Sequence, residues 1–133
     1  MKNKILIIIL FLTSILGFGQ TQSEMNNAEN QKFIKADKEL NQVYNKILKD
    51  YKDDPVFISK LKIAQNLWIK FRDAEMDALF PESDKQFNYG SVFPMCWSIH
   101  LTKLTNERIK TLKMWSIGIE EGDVCSGSVK TKE

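Results

Sequence analysis

The stretch Ala64-Gln65-Asn66-Leu67-Trp68-Ile69-Lys70-Phe71-Arg72-Asp73-Ala74-Glu75 decides how this chain folds. Wound at 100° per residue, it places Trp68 on one face with Leu61, Phe57 and Leu79, as a core stripe requires. Gln65, Arg72 and Glu75 fall on that same face. A charge that the helical period points inward must find a partner, because an unpaired buried charge is too costly to keep. The helix therefore carries a polar cluster toward the interior, and other helices must answer it.

Two further amphipathic segments supply those helices. Residues 24–52 place Phe33, Ala36, Leu40, Val43, Tyr44, Ile47 and Tyr51 on one stripe, with Asp37 and Asn41 at its edge and Lys35, Lys38, Asn45 and Lys49 opposite. Asp53-Asp54-Pro55 then reads as a turn and a helix start, Asp54 as cap and Pro55 at the first helical position. So short a connection makes the first two helices antiparallel neighbours. The second helix runs to about Phe80, where Pro81 stops it. Residues 81–90 read as a loop, and Ser91 as the cap of a third helix that tolerates Pro94 in its first turn and ends near Trp115. The stripe of that helix is Phe93, Trp97, Leu101, Leu104, Leu112 and Trp115, with Arg108 in its middle. Gly118, Gly122 and Gly127 mark an irregular tail from about residue 116. The expected fold is all-α, an antiparallel helical hairpin with a third helix packed on it.

The start of the chain reads as an export signal. A short basic segment with Lys2 and Lys4 precedes an apolar run over residues 5–18, then small residues around Gly17 and Gly19 and a polar Gln20-Thr21-Gln22. The apolar run is shorter than the ~20 residues of a membrane span, and no cysteine lies near the cleavage region to carry a lipid. The expectation is a signal peptide over residues 1–19, cleaved to leave one soluble domain over 20–133 in the periplasm or outside the cell, with no stable membrane insertion. The chain has 133 residues with 19 Lys+Arg and 17 Asp+Glu. Losing Lys2 and Lys4 leaves 17 of each sign, so the mature domain is formally neutral. That gives no case for nucleic acid, which needs a basic stripe. Two cysteines and one histidine without metal-ligand spacing argue against zinc, and no cofactor is expected. In an exported chain, Cys96 and Cys125 read as one disulfide, which needs the tail to run back nearly extended along the third helix.

The inward polar set is Asp37, Asn41, Gln65, Arg72, Glu75 and Arg108. Its two carboxylates and two guanidiniums balance in charge, and the planar fork of arginine suits such pairs. It reads as a network that fixes how the helices register. The alternative is a ligand or partner site on the same groups. Catalysis fits poorly. Asp37 and Glu75 supply two carboxyls, but nearby arginines lower their pKa values and spoil a general acid, so no enzyme is expected. The lone His100 reads as a packed or surface residue, and Trp68, Trp97 and Trp115 as core rather than sugar platforms. Two acidic segments remain for partner contact, Glu82 and Asp84 in the loop and Glu120, Glu121 and Asp123 in the tail. Each is a solvated patch or an element able to enter a basic enzyme's cleft.

Several of these residues sit in segments that resemble the LprI-like domain family, small exported bacterial domains named after a lysozyme inhibitor. The segments are Ala36-Asp37-Lys38-Glu39-Leu40-Asn41-Gln42-Val43-Tyr44, then Leu61-Lys62-Ile63-Ala64-Gln65-Asn66-Leu67-Trp68-Ile69-Lys70-Phe71-Arg72-Asp73-Ala74-Glu75, the loop Tyr89-Gly90-Ser91, and Leu104-Thr105-Asn106-Glu107-Arg108-Ile109-Lys110-Thr111-Leu112. The resemblance spans about residues 25–115. It implies an all-helical envelope domain, and the expected function is a secreted periplasmic binding or inhibitor protein whose candidate target is a lysozyme-type muramidase, occluded at its cleft by an acidic loop or tail. A structural or stress-related envelope protein without inhibitory activity is the competing reading. The family pattern carries cysteines where Met76 and His100 stand, so the resemblance also implies that these two residues pack together.

Overall fold

The computed structural model describes the backbone of residues 2–132 and the side chains of residues 21–132. The segment read as a signal peptide, residues 1–19, lies outside the described side chains. Among the described residues the chain is all-α: α1 Lys2–Asp50, α2 Pro55–Leu79, α3 Lys85–Tyr89 and α4 Phe93–Ile117. No helix among them is long and apolar enough to cross a membrane.

The turn between α1 and α2 forms as its chemistry dictates. Asp54 accepts a hydrogen bond from the Phe57 N–H at 2.9 Å, and Pro55 occupies the first turn, where its missing donor costs nothing. Three boundaries differ from expectation, the first being the start of α1 at Lys2 rather than near residue 24. Asp84 caps the short α3 inside what reads as a loop, accepting from the Phe87 N–H at 3.0 Å. The α4 cap position is Val92 rather than Ser91, with no side-chain hydrogen bond, because α3 and Gly90 already set the direction of entry.

α1 and α4 run side by side in the same direction. Asn26 donates to the Ser91 carbonyl at 3.1 Å near the start of α4, and Lys46 donates to the Ser116 carbonyl at 3.1 Å near its end. α2 runs back in the opposite direction, packed more closely on α4 than on α1. Two apolar clusters hold the three long helices. At the turn end Leu40, Ile47, Tyr51, Leu61, Ile109 and Leu112 are buried, with Phe57, Trp68 and Trp115 packed against them. At the other end Met76, Phe80 and Leu101 are buried under Phe33, Tyr89, Phe93 and Trp97. Phe80 is the hub there, edge-on to Tyr89 and Phe93 at 5.3 and 5.2 Å. Leu79, placed on the core stripe by its period, is exposed, because Met76 and Phe80 fill the space in the last turn of α2.

The tail does not run back along α4. It folds into a closed loop at the turn end of the molecule. Gly118 ends α4, and Ile119 pairs with the chain at 130–132: its N–H donates to the Lys130 carbonyl at 3.0 Å and its carbonyl accepts from the Lys132 N–H at 2.8 Å. Val129 is buried, Trp115 Nε1–H donates to Ser128 Oγ at 3.0 Å, and the Lys130 N–H donates to the Tyr51 hydroxyl at 3.1 Å. The Cys96–Cys125 disulfide is therefore not formed, and both thiols are free. Cys96 sits among the aromatic side chains at the far end of α4, roughly 30 Å along the helix from the tail at 1.5 Å per residue. The loop is anchored where only glycine fits. Gly118 has φ of 83°, and a Cβ there would lie 2.7 Å from the Lys130 carbonyl oxygen. Gly118→Ala is expected to release the tail without unfolding the helices. In hydrogen exchange the amides of Ile119 and Lys132 should lose protection while that of Leu112 keeps it; unchanged tail protection would refute this anchoring.

Candidate functional site

Between the two apolar clusters lies a polar layer. Gln65 of α2 is 7 % exposed, and its Oε1 accepts from Arg108 Nε of α4 at 2.9 Å. The Trp68 ring neighbours two guanidiniums, that of Arg72 at 5.4 Å and that of Arg108 at 5.9 Å from its centroid. A cation over an aromatic face recovers part of the hydration it loses. Tyr44 of α1 completes the layer. Burial pushes its phenol above the usual range, and the neighbouring Arg108 charge partly offsets this. Burial likewise pulls Arg108 below the usual range, with Tyr44 opposing. Thr105 Oγ1 and one Arg108 Nη are buried without a partner among the described residues.

The six inward residues thus separate. Gln65 and Arg108 meet across two helices. Arg72 turns to its neighbour Asp73, at 2.7 Å, because that carboxylate is one residue away and needs no second helix. Asn41 donates to the Asp37 carbonyl at 2.9 Å and to its carboxylate at 3.3 Å, within α1. Glu75 is exposed, on the rim of a small cavity of about 90 Å³ that Met76 and His100 also line. Neither arginine contacts a carboxylate of the inward set; the tyrosine and tryptophan were the members that sequence reasoning left out of the layer. Their signal was available, since Tyr44 and Trp68 face inward at the level of Gln65 and each offers an electron-rich surface to a cation.

The two acidic segments lie at opposite ends of the molecule. At the α3 end, Asp84 is engaged as a helix cap, and the Glu82 N–H donates to the Tyr89 hydroxyl at 3.1 Å. At the tail end, the anchored loop carries Glu121, Asp123 and Val124 outward, and Val124 is 97 % exposed. Asp123 accepts from the Cys125 N–H at 2.8 Å, which shapes the tip while leaving its charge in solvent. Glu120 pairs with Lys132 at 2.5 Å at the base, and that bond holds its carboxyl below the usual glutamate range. Among the described residues no group of three or more His, Cys, Asp or Glu is placed to hold a metal ion.

Comparison with protein families matches residues 18–112 to the family described as Lysozyme inhibitor LprI. No curated protein and no solved structure matches the chain.

The layer makes a stability prediction. Arg108→Ala should destabilise the domain more than Arg72→Ala, because only Arg108 ties two helices together. In a double-mutant cycle with Gln65→Ala, urea unfolding should give a coupling of about 0.5–3 kcal/mol. Additive effects would mean that the two side chains do not act as a pair.

Proposed function

The chain belongs to the LprI family, and on that premise we propose that it is an exported envelope protein that binds and inhibits a lysozyme-type muramidase. The family match carries this reading. It describes an inhibitor rather than a catalyst. A muramidase cuts between two carboxyl groups in a cleft, so an inserted loop blocks the reaction by excluding the glycan.

The tail loop is the element best suited to insertion. Its base is fixed by backbone pairing, by Trp115 and by Tyr51. A loop held in shape before binding loses little further entropy on docking. Its tip offers two carboxylates and one exposed valine, a charge pattern complementary to a basic cleft rim. Glu82 is less suited, since its segment is drawn back onto Tyr89.

The second reading is an envelope protein with no inhibitory activity. The formal neutrality of residues 20–133 favours it, because a neutral protein gains no long-range steering toward a basic enzyme. A dose-dependent inhibition assay on a purified lysozyme separates the two. The proposal expects inhibition, weakened about tenfold or more by Glu121→Gln/Asp123→Asn, equivalent to ~1.4 kcal/mol, and unchanged by Glu82→Gln. Absence of inhibition by the unaltered protein supports the second reading. Equal sensitivity to all three changes would remove the tail loop from its role.

A further inference from the structure

The buried face of α2 accounts for only half of its apolar residues. On the opposite face, Val56, Ile63, Leu67 and Phe71 are 70, 52, 59 and 57 % exposed. With the exposed Lys60, Ala74 and Ala78 they form one stripe along the helix. At 100° per residue all seven fall within about 80° of one another. Scattered exposed apolar residues need no explanation, but a continuous stripe the length of a helix does.

We propose that this stripe is the interface of a homodimer in which α2 packs antiparallel on α2 of a second copy, with the two-fold axis at Leu67. The spacing along the stripe is four, three, four, then four, three, four, which reads the same from either end about Leu67. Antiparallel pairing therefore keeps the whole stripe in register. Leu67 meets its own counterpart, Ile63 meets Phe71, and the small Ala74 and Ala78 leave room for the Lys60 stem and for Val56.

Charge selects this direction over the parallel one. Before Leu67, α2 carries Lys60 and Lys62, and its last turns carry Asp73, Glu75 and Asp77. Of these only Asp73 is in an ion pair within the chain among the described residues. Antiparallel packing puts Lys60 beside Glu75 of the second copy, on the same flank of the seam. Parallel packing puts Lys60 beside Lys60 and Glu75 beside carboxylates, a like-charge arrangement that opposes association.

The size of the stripe sets the strength. From Val56 to Ala78 it is about 33 Å long and, at a helix diameter of ~10 Å, covers roughly 330 Å² in projection. A standard interface takes ~800 Å² per partner. The dimer is accordingly weak and concentration-dependent, with a Kd in the micromolar range or above.

Single-cysteine variants on a Cys96→Ser/Cys125→Ser background test the pairing. Leu67→Cys places the new thiol at the axis, within bridging reach of its counterpart. Val56→Cys places its thiols about 33 Å apart across the axis. Mild oxidation of the mature protein at ~100 μM should yield disulfide dimer from Leu67→Cys and little from Val56→Cys. Sedimentation equilibrium of the unaltered protein should show reversible dimer that Leu67→Glu abolishes. Equal cross-linking of both variants would overturn the antiparallel pairing. A monomer at all concentrations with no cross-link would overturn the dimer. So would a monomer whose lysozyme inhibition is lost in Leu67→Glu, which would assign the face to the muramidase.

Discussion

The guanidinium of Arg108 is the constraint around which this fold is organised. It is carried into the middle of a three-helix assembly on the apolar face of α4 and cannot lose its proton there. No carboxylate among the described residues meets it. Gln65 of α2 offers one oxygen at 2.9 Å, Trp68 offers a ring face at 5.9 Å, and Tyr44 of α1 senses its charge. Each contact belongs to a different helix from Arg108 itself. Sliding any helix by one turn would strand the charge, so the layer specifies register. It is not a strong source of net stability, since Thr105 Oγ1 and one Arg108 nitrogen remain buried without partners. Stability comes instead from the two apolar clusters that flank the layer.

That division of labour positions everything on the surface. The cluster at the turn end fixes Tyr51 and Trp115, and these two side chains hold the tail loop through the Lys130 N–H and Ser128. Lys130 adds a second tie, its ammonium donating to the Asp50 carbonyl at 2.6 Å and lying 4.4 Å from the Tyr51 ring centroid. The proposed inhibitory loop is thus an extension of the core rather than a loose end. The outer face of α2 is set the same way. Because Gln65, Trp68 and Arg72 turn inward, Ile63, Leu67 and Phe71 must turn outward.

Much of this was legible in the sequence where the physics is local. The three long helices follow from apolar periodicity, and the α1–α2 turn from Asp54 and Pro55. The inward character of Gln65 and Arg108 followed from the same period, as did membership of the LprI family from the segments around Asn41, Arg72 and Arg108. What was not legible depends on geometry between distant parts of the chain. Periodicity says that Arg72 approaches the core but not that Asp73 captures it from the next position. The tail held no apolar stripe, so its course was open, and the expected bridge from Cys125 to Cys96 assumed an extended path. The path taken is set by Gly118, by Val129 and by the Tyr51 hydroxyl, none of which announces its partner. The outer stripe of α2 was legible, since Val56, Ile63, Leu67 and Phe71 already share a face in the helical projection.

The proposed function rests on where a muramidase touches this frame. Hydrogen–deuterium exchange of the protein, alone and with a saturating lysozyme-type enzyme, reads that contact directly. Protection gathered on residues 120–128, with the α2–α3 connection unchanged, is the result the account predicts. Protection confined to the α3 end, or none anywhere at saturating enzyme, would contradict it.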